Sequence, residues 1–149
     1  INPAFLQEIK DDDVQLLALL QQVHAMCESA AQSDIPARRF ASVLAELRDR
    51  LAMHFALEEA YGYFDDPVAV APHLSNQAES LRQQHGTLYE EMALLAETAQ
   101  NISRSNSDPR GIGNLARGFM NFHGRLLEHE EGENELILDA YSVDIGGRG

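Results

Sequence analysis

The most informative pattern in the chain is His-x-x-x-Glu, which occurs at His54–Glu58 and again at His129–Glu133. Residues four apart lie on one face of an α-helix, so both side chains of each pair can reach the same cavity. Neutral imidazole and carboxylate together bind iron, manganese or zinc in preference to calcium. The spacing therefore indicates a transition-metal site, with His85 as a further imidazole between the two pairs.

These residues interrupt stripes that are otherwise apolar. Four segments carry apolar residues at alternating three- and four-residue steps, which is the pattern of a buried bundle face. Because burying an unpaired charge costs several kcal/mol, ionisable groups in such stripes must contact one another or a metal ion. The ionisable residues that continue the four stripes are Asp13, His54, Glu58, His85, His129 and Glu133.

The apolar rhythm and the scattered β-branched residues predict an all-α fold. Ser33 or Asp34 can cap the second helix, and Pro36 fits its first turn. Residues 65–72 are expected to form a loop, and residues 103–113 a polar connection. The four helices are expected at residues 3–31, 36–63, 75–102 and 112–141.

The chain has 149 residues, which is close to the usual size of one domain. Short connections favour antiparallel neighbours, so we expect one domain over residues 1–149, folded as an up-down-up-down antiparallel four-helix bundle. The Gly-rich end at residues 142–149 is expected to be frayed. A hydrophobic content of 44% is enough for a sizeable core.

In an antiparallel bundle, residues equally far from a connecting turn lie at the same height. Asp13 and His54 are about equally far from the first turn, and His54 and His85 from the second. His85 and His129 are about equally far from the third connection. The four helices should thus bring these side chains, together with the glutamates of the two His-x-x-x-Glu pairs, to one layer.

The number of candidate ligands indicates more than one metal ion. Three imidazoles and three carboxylates are too many for one tetrahedral zinc ion. Two ions bridged by Glu58 and Glu133 use all of them, and three carboxylates offset most of the charge of two divalent ions. A metal-free network of His–carboxylate hydrogen bonds is the alternative. The predicted metal ligands are Asp13, His54, Glu58, His85, His129 and Glu133.

This layout resembles the hemerythrin-like HHE cation-binding family of four-helix bundles, over roughly Leu6 to Tyr141. The residues that carry the resemblance are His54-Phe-Ala-Leu-Glu58-Glu59, His85 and His129-Glu-Glu-Gly-Glu133-Asn-Glu-Leu-Ile. The resemblance implies two non-haem iron ions with carboxylate bridges and a coordination position open to O2, nitric oxide or peroxide. Manganese or zinc are the alternatives to iron. In such a centre the three histidines and Asp13 are terminal ligands.

The chain departs from the family pattern in two helices. The family's first-helix motif resembles Ile-Lys-acidic-Asp-His, and here Asp13 stands where the histidine falls. Oxygen carriers have another histidine four residues before or after the one in the third helix, and these positions hold Leu81 and Tyr89. Fewer imidazoles and an extra anionic ligand favour the ferric state. Reversible oxygen carriage is therefore less expected than iron binding, redox chemistry or sensing.

Some neighbouring residues have two interpretations. His24 is expected to flank the first apolar stripe, or to be the first-helix ligand in place of Asp13. Asp11 and Asp12 are expected on a solvated acidic face, although Asp12 exchanges with Asp13 if the helix rotates slightly. We expect Tyr61 and Tyr63 in the core, and Tyr89 as the tyrosine that could act near the metal. The glutamates expected to face solvent are Glu59, Glu130 and Glu131.

The charge balance narrows the classes of partner. With 11 Lys and Arg against 24 Asp and Glu, the formal charge is −13, which argues against nucleic acid and anionic membranes as partners. The single cysteine, Cys27, excludes an internal disulfide framework, and a cytoplasmic location is expected.

We therefore expect a di-iron protein that binds or reacts with a small oxidant or holds iron. The alternative is a metal-stabilised sensory or partner-binding bundle without redox turnover. Whether the protein is an enzyme is left open, because the sequence indicates no pocket for a larger substrate.

Overall fold

The computed structural model describes residues 3–29, 36–105 and 110–146, and the all-α prediction is confirmed for these ranges. The elements are α1 (Pro3–Ser29), α2 (Ala37–Ala60), α3 (Asp65–Val70), a 3₁₀ helix (Pro72–Leu74), α4 (Ser75–Ser105) and α5 (Arg110–Gly146). The long helices form a bundle in which α1 packs against α2 and α5, and α4 also packs against α2 and α5. In the described ranges, no helix is both long and apolar enough to span a bilayer.

The main hydrophobic core is built from all four long helices. In α2 the buried apolar residues recur at three- and four-residue steps, as at Leu44, Leu47 and Leu51. They pack with fully buried aromatic side chains such as Phe119 and Phe122 of α5. Burying one such side chain stabilises the fold by about 1.5–3 kcal/mol, so this cluster sets how the helices meet.

A smaller core lies beyond a layer of polar side chains. It includes Phe64 and Leu74 from the segment between α2 and α4, together with Leu81 of α4 and Leu136 of α5. Along α4, Leu81 belongs to this smaller core and Leu88 to the main core, and buried His85 lies between them. The two cores therefore seal the polar layer from both ends of the bundle.

The segment predicted as a loop at 65–72 is instead largely helical, so that prediction was wrong. It begins after Gly62, whose φ of 82° is a conformation that L side chains rarely adopt. The Tyr63 N–H donates to the Glu58 carbonyl at 3.0 Å, which closes the end of α2 in the manner of a Schellman motif. Asp65 and Asp66 then occupy the first turn of α3, where negative charge favours a helix start.

The predicted helix ends differ from the observed ones by a few residues. Pro36 is the cap residue before α2 rather than part of its first turn, and α5 continues to Gly146. The predicted caps Ser33 and Asp34 lie outside the described residues, as do 106–109 of the expected polar connection and 147–149 of the expected frayed end.

Candidate metal centre

Four buried polar side chains from α2, α4 and α5 meet between the two cores. One ligand atom of each lies within 4.8 Å of the others. Nε2 of His85 is 3.3 Å from Oε1 of Glu58 and 3.5 Å from Oε2 of Glu133. Nε2 of His129 is 3.3 Å from the same Glu133 oxygen. Glu58 of the first His-x-x-x-Glu pattern, both residues of the second and His85 therefore converge on one point.

These four ligand atoms have no hydrogen-bond partner within the described part of the chain. Leaving a buried polar atom unsatisfied costs about 1–3 kcal/mol, so four together are a substantial penalty. A transition-metal ion accepts lone pairs from imidazole nitrogen and carboxylate oxygen alike. The donor set thus fits such an ion. In the metal-free alternative these inward-facing atoms are satisfied only if protons lie between them.

The outer edges of the two imidazoles are held by hydrogen bonds. Nδ1–H of His129 donates to Oε1 of Gln84 at 2.8 Å, and Nδ1–H of His85 donates to Oε2 of Glu59 at 3.3 Å. The His85 ring also stacks on Phe55, with centroids 3.9 Å apart. Donation through Nδ1 leaves the Nε2 lone pair pointing inward, which is how metal-binding histidines are commonly oriented.

His54 joins the cluster from the α1 side. Its Nε2 is 3.5 Å from Oε1 of Glu58, and its Nδ1 is 3.0 Å from Asp12 and 2.9 Å from Asp13. The side chain of Arg50 approaches Asp12 at 3.8 Å and offsets part of its charge. Both aspartates therefore contact the outer edge of the His54 ring.

Residues 4–141, nearly the whole chain, match the family model of the hemerythrin HHE cation-binding domain. The chain belongs to this family. No curated protein and no solved structure matches it. Membership implies that this HHE domain binds cations, and the buried His/Glu cluster is the candidate site within it.

The HHE domain places the predicted first-helix residues differently from expectation. Asp12 is only 7% exposed, whereas Asp13 is 52% exposed. The expectation that Asp12 lies on a solvated face was therefore wrong, and the alternative, in which Asp12 exchanges with Asp13, describes the burial of the two side chains. Asp12 precedes Leu16 by four residues and falls on the face of α1 that buries Leu16 and Val23. Ligation by Asp13 stays a prediction.

His24, the alternative first-helix ligand, lies beside a different residue. Its Nδ1 is 3.3 Å from Nδ1 of His123 on α5. His24 thus contacts His123 rather than His54, Glu58 or Glu133.

A cavity of about 180 Å³ adjoins the cluster on its α1 side. Leucines from α1 form its apolar wall, and acidic groups with one tyrosine form its polar wall. Its lining residues are Asp13, Leu16, Leu17, Leu20, His54, Glu58, Tyr63, Glu130, Glu133 and Asn134. The cavity gives a small molecule a route to the inward-facing ligand atoms.

The cavity and the hydrogen bonds involve residues outside the predicted ligand set. Tyr63 packs against the smaller core, as expected, and also lines the cavity. Tyr89 is 39% exposed on another surface groove. Glu59 faces solvent, as expected, and in addition accepts a hydrogen bond from His85. Glu130 is half-buried against the cavity rather than solvent-facing. The Tyr-Gly-Tyr turn was a usable signal, because its Gly62 redirects Tyr63 into the site.

Burial and charge shift the proton equilibria of the metal-free cluster. Burial of His54 opposes its charged form, but the hydrogen bond to Asp13 and the charge of Glu58 together raise the pKa to about 9. Burial likewise opposes charge on His85, but the carboxylates of Glu133 and Glu58, at 3.5 and 3.3 Å from its Nε2, raise its pKa to about 9.

The pKa values of the two glutamates are shifted in opposite directions. Burial, reinforced by the charge of Glu133, raises the pKa of Glu58. Burial also disfavours charge on Glu133, but the adjacent imidazoles of His129 and His85 outweigh it and lower its pKa. The metal-free site therefore stores protons, which a cation must displace in order to bind.

The cavity also contains two groups whose pKa values are raised. Burial and the charges of Glu133 and Glu58 raise the pKa of Tyr63, so its hydroxyl is neutral at physiological pH. Burial raises the pKa of Glu130 to about 7. Two potential hydrogen-bond donors thus face the space next to the candidate ligands.

Proposed function

We propose that this HHE domain holds two non-haem iron ions at the buried cluster, where they bind or react with a small oxidant (O2, nitric oxide or peroxide) or are held in store. The observation that carries the proposal is the set of four buried, converging ligand atoms without hydrogen-bond partners among the described residues. Family membership supports a cation at this position. Manganese and zinc are the other ions that the donor set suits.

The proposed ligands come from all four long helices. Two ions are proposed rather than one because the available imidazoles and carboxylates exceed a single tetrahedral set. Asp13 would have to turn its carboxylate from His54 into the cavity that it already lines. The proposed terminal ligands are His54, His85, His129 and Asp13, and the proposed bridges are Glu58 and Glu133.

The size of the cavity supports a small reaction partner. Pockets for drug-sized ligands are about 300–1,000 Å³, so the cavity of about 180 Å³ suits a diatomic molecule or peroxide better. When bound, iron supplies the electrons and the vacant coordination position that such a partner requires. Leu16, Leu17 and Leu20 give the cavity one apolar wall.

Tyr63 and Glu130 are proposed to assist from the polar wall. The neutral Tyr63 hydroxyl can donate a hydrogen bond to a small molecule held next to Glu58 and Glu133. Glu130 can hold a proton near neutral pH. Such donors favour partners that take up protons as they are reduced, which is the case for peroxide.

We also propose the up-down-up-down order of the bundle. Gly132 lies against Leu81, whereas Gly111 lies against Ile102, so residue numbers rise along α5 as they fall along α4. This pattern supports an antiparallel arrangement of these two helices.

Reactivity is tested by mixing the anaerobic, ferrous-loaded protein with hydrogen peroxide and recording absorption in the near ultraviolet. The proposal predicts ligand-to-metal bands that appear in wild type and in the control His73→Ala, whose histidine is exposed. The same bands should be absent in His85→Ala. Bands of equal intensity in His85→Ala would mean that iron is oxidised elsewhere.

A further inference from the structure

A second pair of histidines lies outside the buried cluster, where α1 meets α5. Nδ1 of His24 is 3.3 Å from Nδ1 of His123, and the ring centroids are 5.4 Å apart with the planes inclined by 72°. Both side chains are half-buried. Two ring nitrogens from different helices therefore face each other at the edge of the bundle.

The rest of the His24 ring is oriented by a carboxylate. Nε2 of His24 is 2.8 Å from Oε1 of Glu28, one turn further along α1. Because a carboxylate is an acceptor, Nε2 carries the proton and Nδ1 presents its lone pair to His123. A carboxylate on the far nitrogen is the arrangement that commonly positions metal-binding histidines.

The orientation and protonation state of His123 also suit it to bind a metal ion. Its ring lies against Phe119, with centroids 5.6 Å apart, which limits its rotation. Burial and then the neighbouring charge of His24 lower the pKa of His123. The imidazole of His123 is therefore neutral at physiological pH, and only the neutral ring can bind a metal.

We propose that His24 and His123 form a second metal site, which takes one divalent transition-metal ion that prefers imidazole, such as Zn²⁺ or Cu²⁺, and joins α1 to α5. With Zn–N bonds of about 2.0–2.1 Å, two nitrogens on a tetrahedral ion are about 3.3–3.4 Å apart, which matches the observed separation. Water fills the remaining positions, since the pair is half-exposed. The site shares no ligand with the His/Glu cluster and does not depend on its function.

The test is a Cu²⁺ titration of the iron-loaded protein, because Cu²⁺ binds nitrogen ligands most tightly among the first-row divalent ions. Wild type and the control His73→Ala should take up one further equivalent, and the electron paramagnetic resonance spectrum should show coupling to two nitrogens. Both features should be lost in His24→Ala and in His123→Ala. Glu28→Gln should weaken binding by about tenfold, since it removes the group that orients His24. Zn²⁺ should compete for the same equivalent.

Two further measurements distinguish loss of the His24–His123 site from unfolding of a variant and from loss of the buried cluster. Circular dichroism of each variant shows whether the helices are retained, which is expected because both histidines are partly exposed. His129→Ala should lose binding at the His/Glu cluster but keep the additional Cu²⁺ equivalent. If folded His24→Ala binds Cu²⁺ with the same stoichiometry and spectrum as wild type, the second site does not exist. That result would leave the proposal for the buried cluster untouched.

Discussion

Nε2 of His85 lies 3.3 Å from Oε1 of Glu58, and neither atom makes a hydrogen bond to any residue that the structure describes. Both side chains are almost completely buried. The distance permits electrostatic attraction, but the buried lone pairs stay unsatisfied unless protons or a cation occupy the space between them. Nε2 of His129 and Oε2 of Glu133 are likewise close together and without hydrogen bonds to the described residues. The buried centre of the bundle therefore favours binding of a cation or of protons.

Replacing a converging imidazole should remove iron without unfolding the bundle. We expect His129→Ala to lose stoichiometric iron binding, because its Nε2 is one of the four inward-facing atoms. His73→Ala removes an exposed histidine and should bind iron like wild type. Metal analysis after gel filtration, with circular dichroism as a check on folding, measures both. Full iron content in folded His129→Ala would exclude His129 as a ligand.

The hydrogen bond from His129 Nδ1–H to Gln84 predicts a partial loss of metal affinity when Gln84 is replaced. Gln84→Ala removes the acceptor of His129 Nδ1–H, and losing such a group typically weakens metal binding by about 10–100-fold. The neighbouring Gln83 is exposed and bonds to Glu79 instead, so Gln83→Ala is the matched control. Competition with a chelator measures both affinities. Equal affinities for the two variants would show that Gln84 does not orient the ligand.

Much of this arrangement could be predicted from the sequence, because both the helical period and the His-x-x-x-Glu spacing are local. The convergence of Glu58, His85, His129 and Glu133 follows from those patterns and from heights along a bundle. Which of Asp12 and Asp13 is buried depends on the rotation of α1 about its axis. Because the two residues are adjacent and identical, the sequence does not determine this rotation. Tyr63 lines the cavity because the chain turns at Gly62, which has a positive φ. The helical periodicity of the sequence does not predict this turn.

The proton equilibria predict that the metal-free protein loses stability as the solution becomes alkaline. The pKa of His54 and of His85 rises from 6.5 to about 9 on folding. The stabilisation is therefore fully present below pH 6.5 and is lost as the pH rises through 9. Glu58 acts in the same direction, because its raised pKa favours the protonated form in the folded state. Glu133, with a lowered pKa, loses its contribution only in acid.

Thermal denaturation with and without metal checks this prediction. The melting temperature of the metal-free protein should fall by several degrees between pH 6.5 and 9. The metal-loaded protein should change less, because the cation has already displaced the protons. A metal-free melting temperature that stays constant or rises over this interval would rule out the proposed proton storage.

Tyr63 should affect reactivity rather than metal content. Tyr63→Phe removes a cavity hydroxyl while keeping the ring, so the protein should retain its iron and helicity. A positioned proton donor typically contributes about 10²–10⁴-fold to a rate, and we expect the reaction with peroxide to slow by at least about tenfold. Tyr89→Phe alters an exposed tyrosine and is the control. Stopped-flow rates that are the same for both variants would leave Tyr63 without a role in the reaction.

The most direct test is the number of iron ions bound per chain after anaerobic loading and removal of excess metal, measured by elemental analysis against protein concentration. A centre with two bridging glutamates predicts about two ions per chain in wild type, and a clear loss in the double variant Glu58→Gln, Glu133→Gln. A ratio below about a tenth of an ion per chain would contradict the account, since no ion would then satisfy the buried ligand atoms.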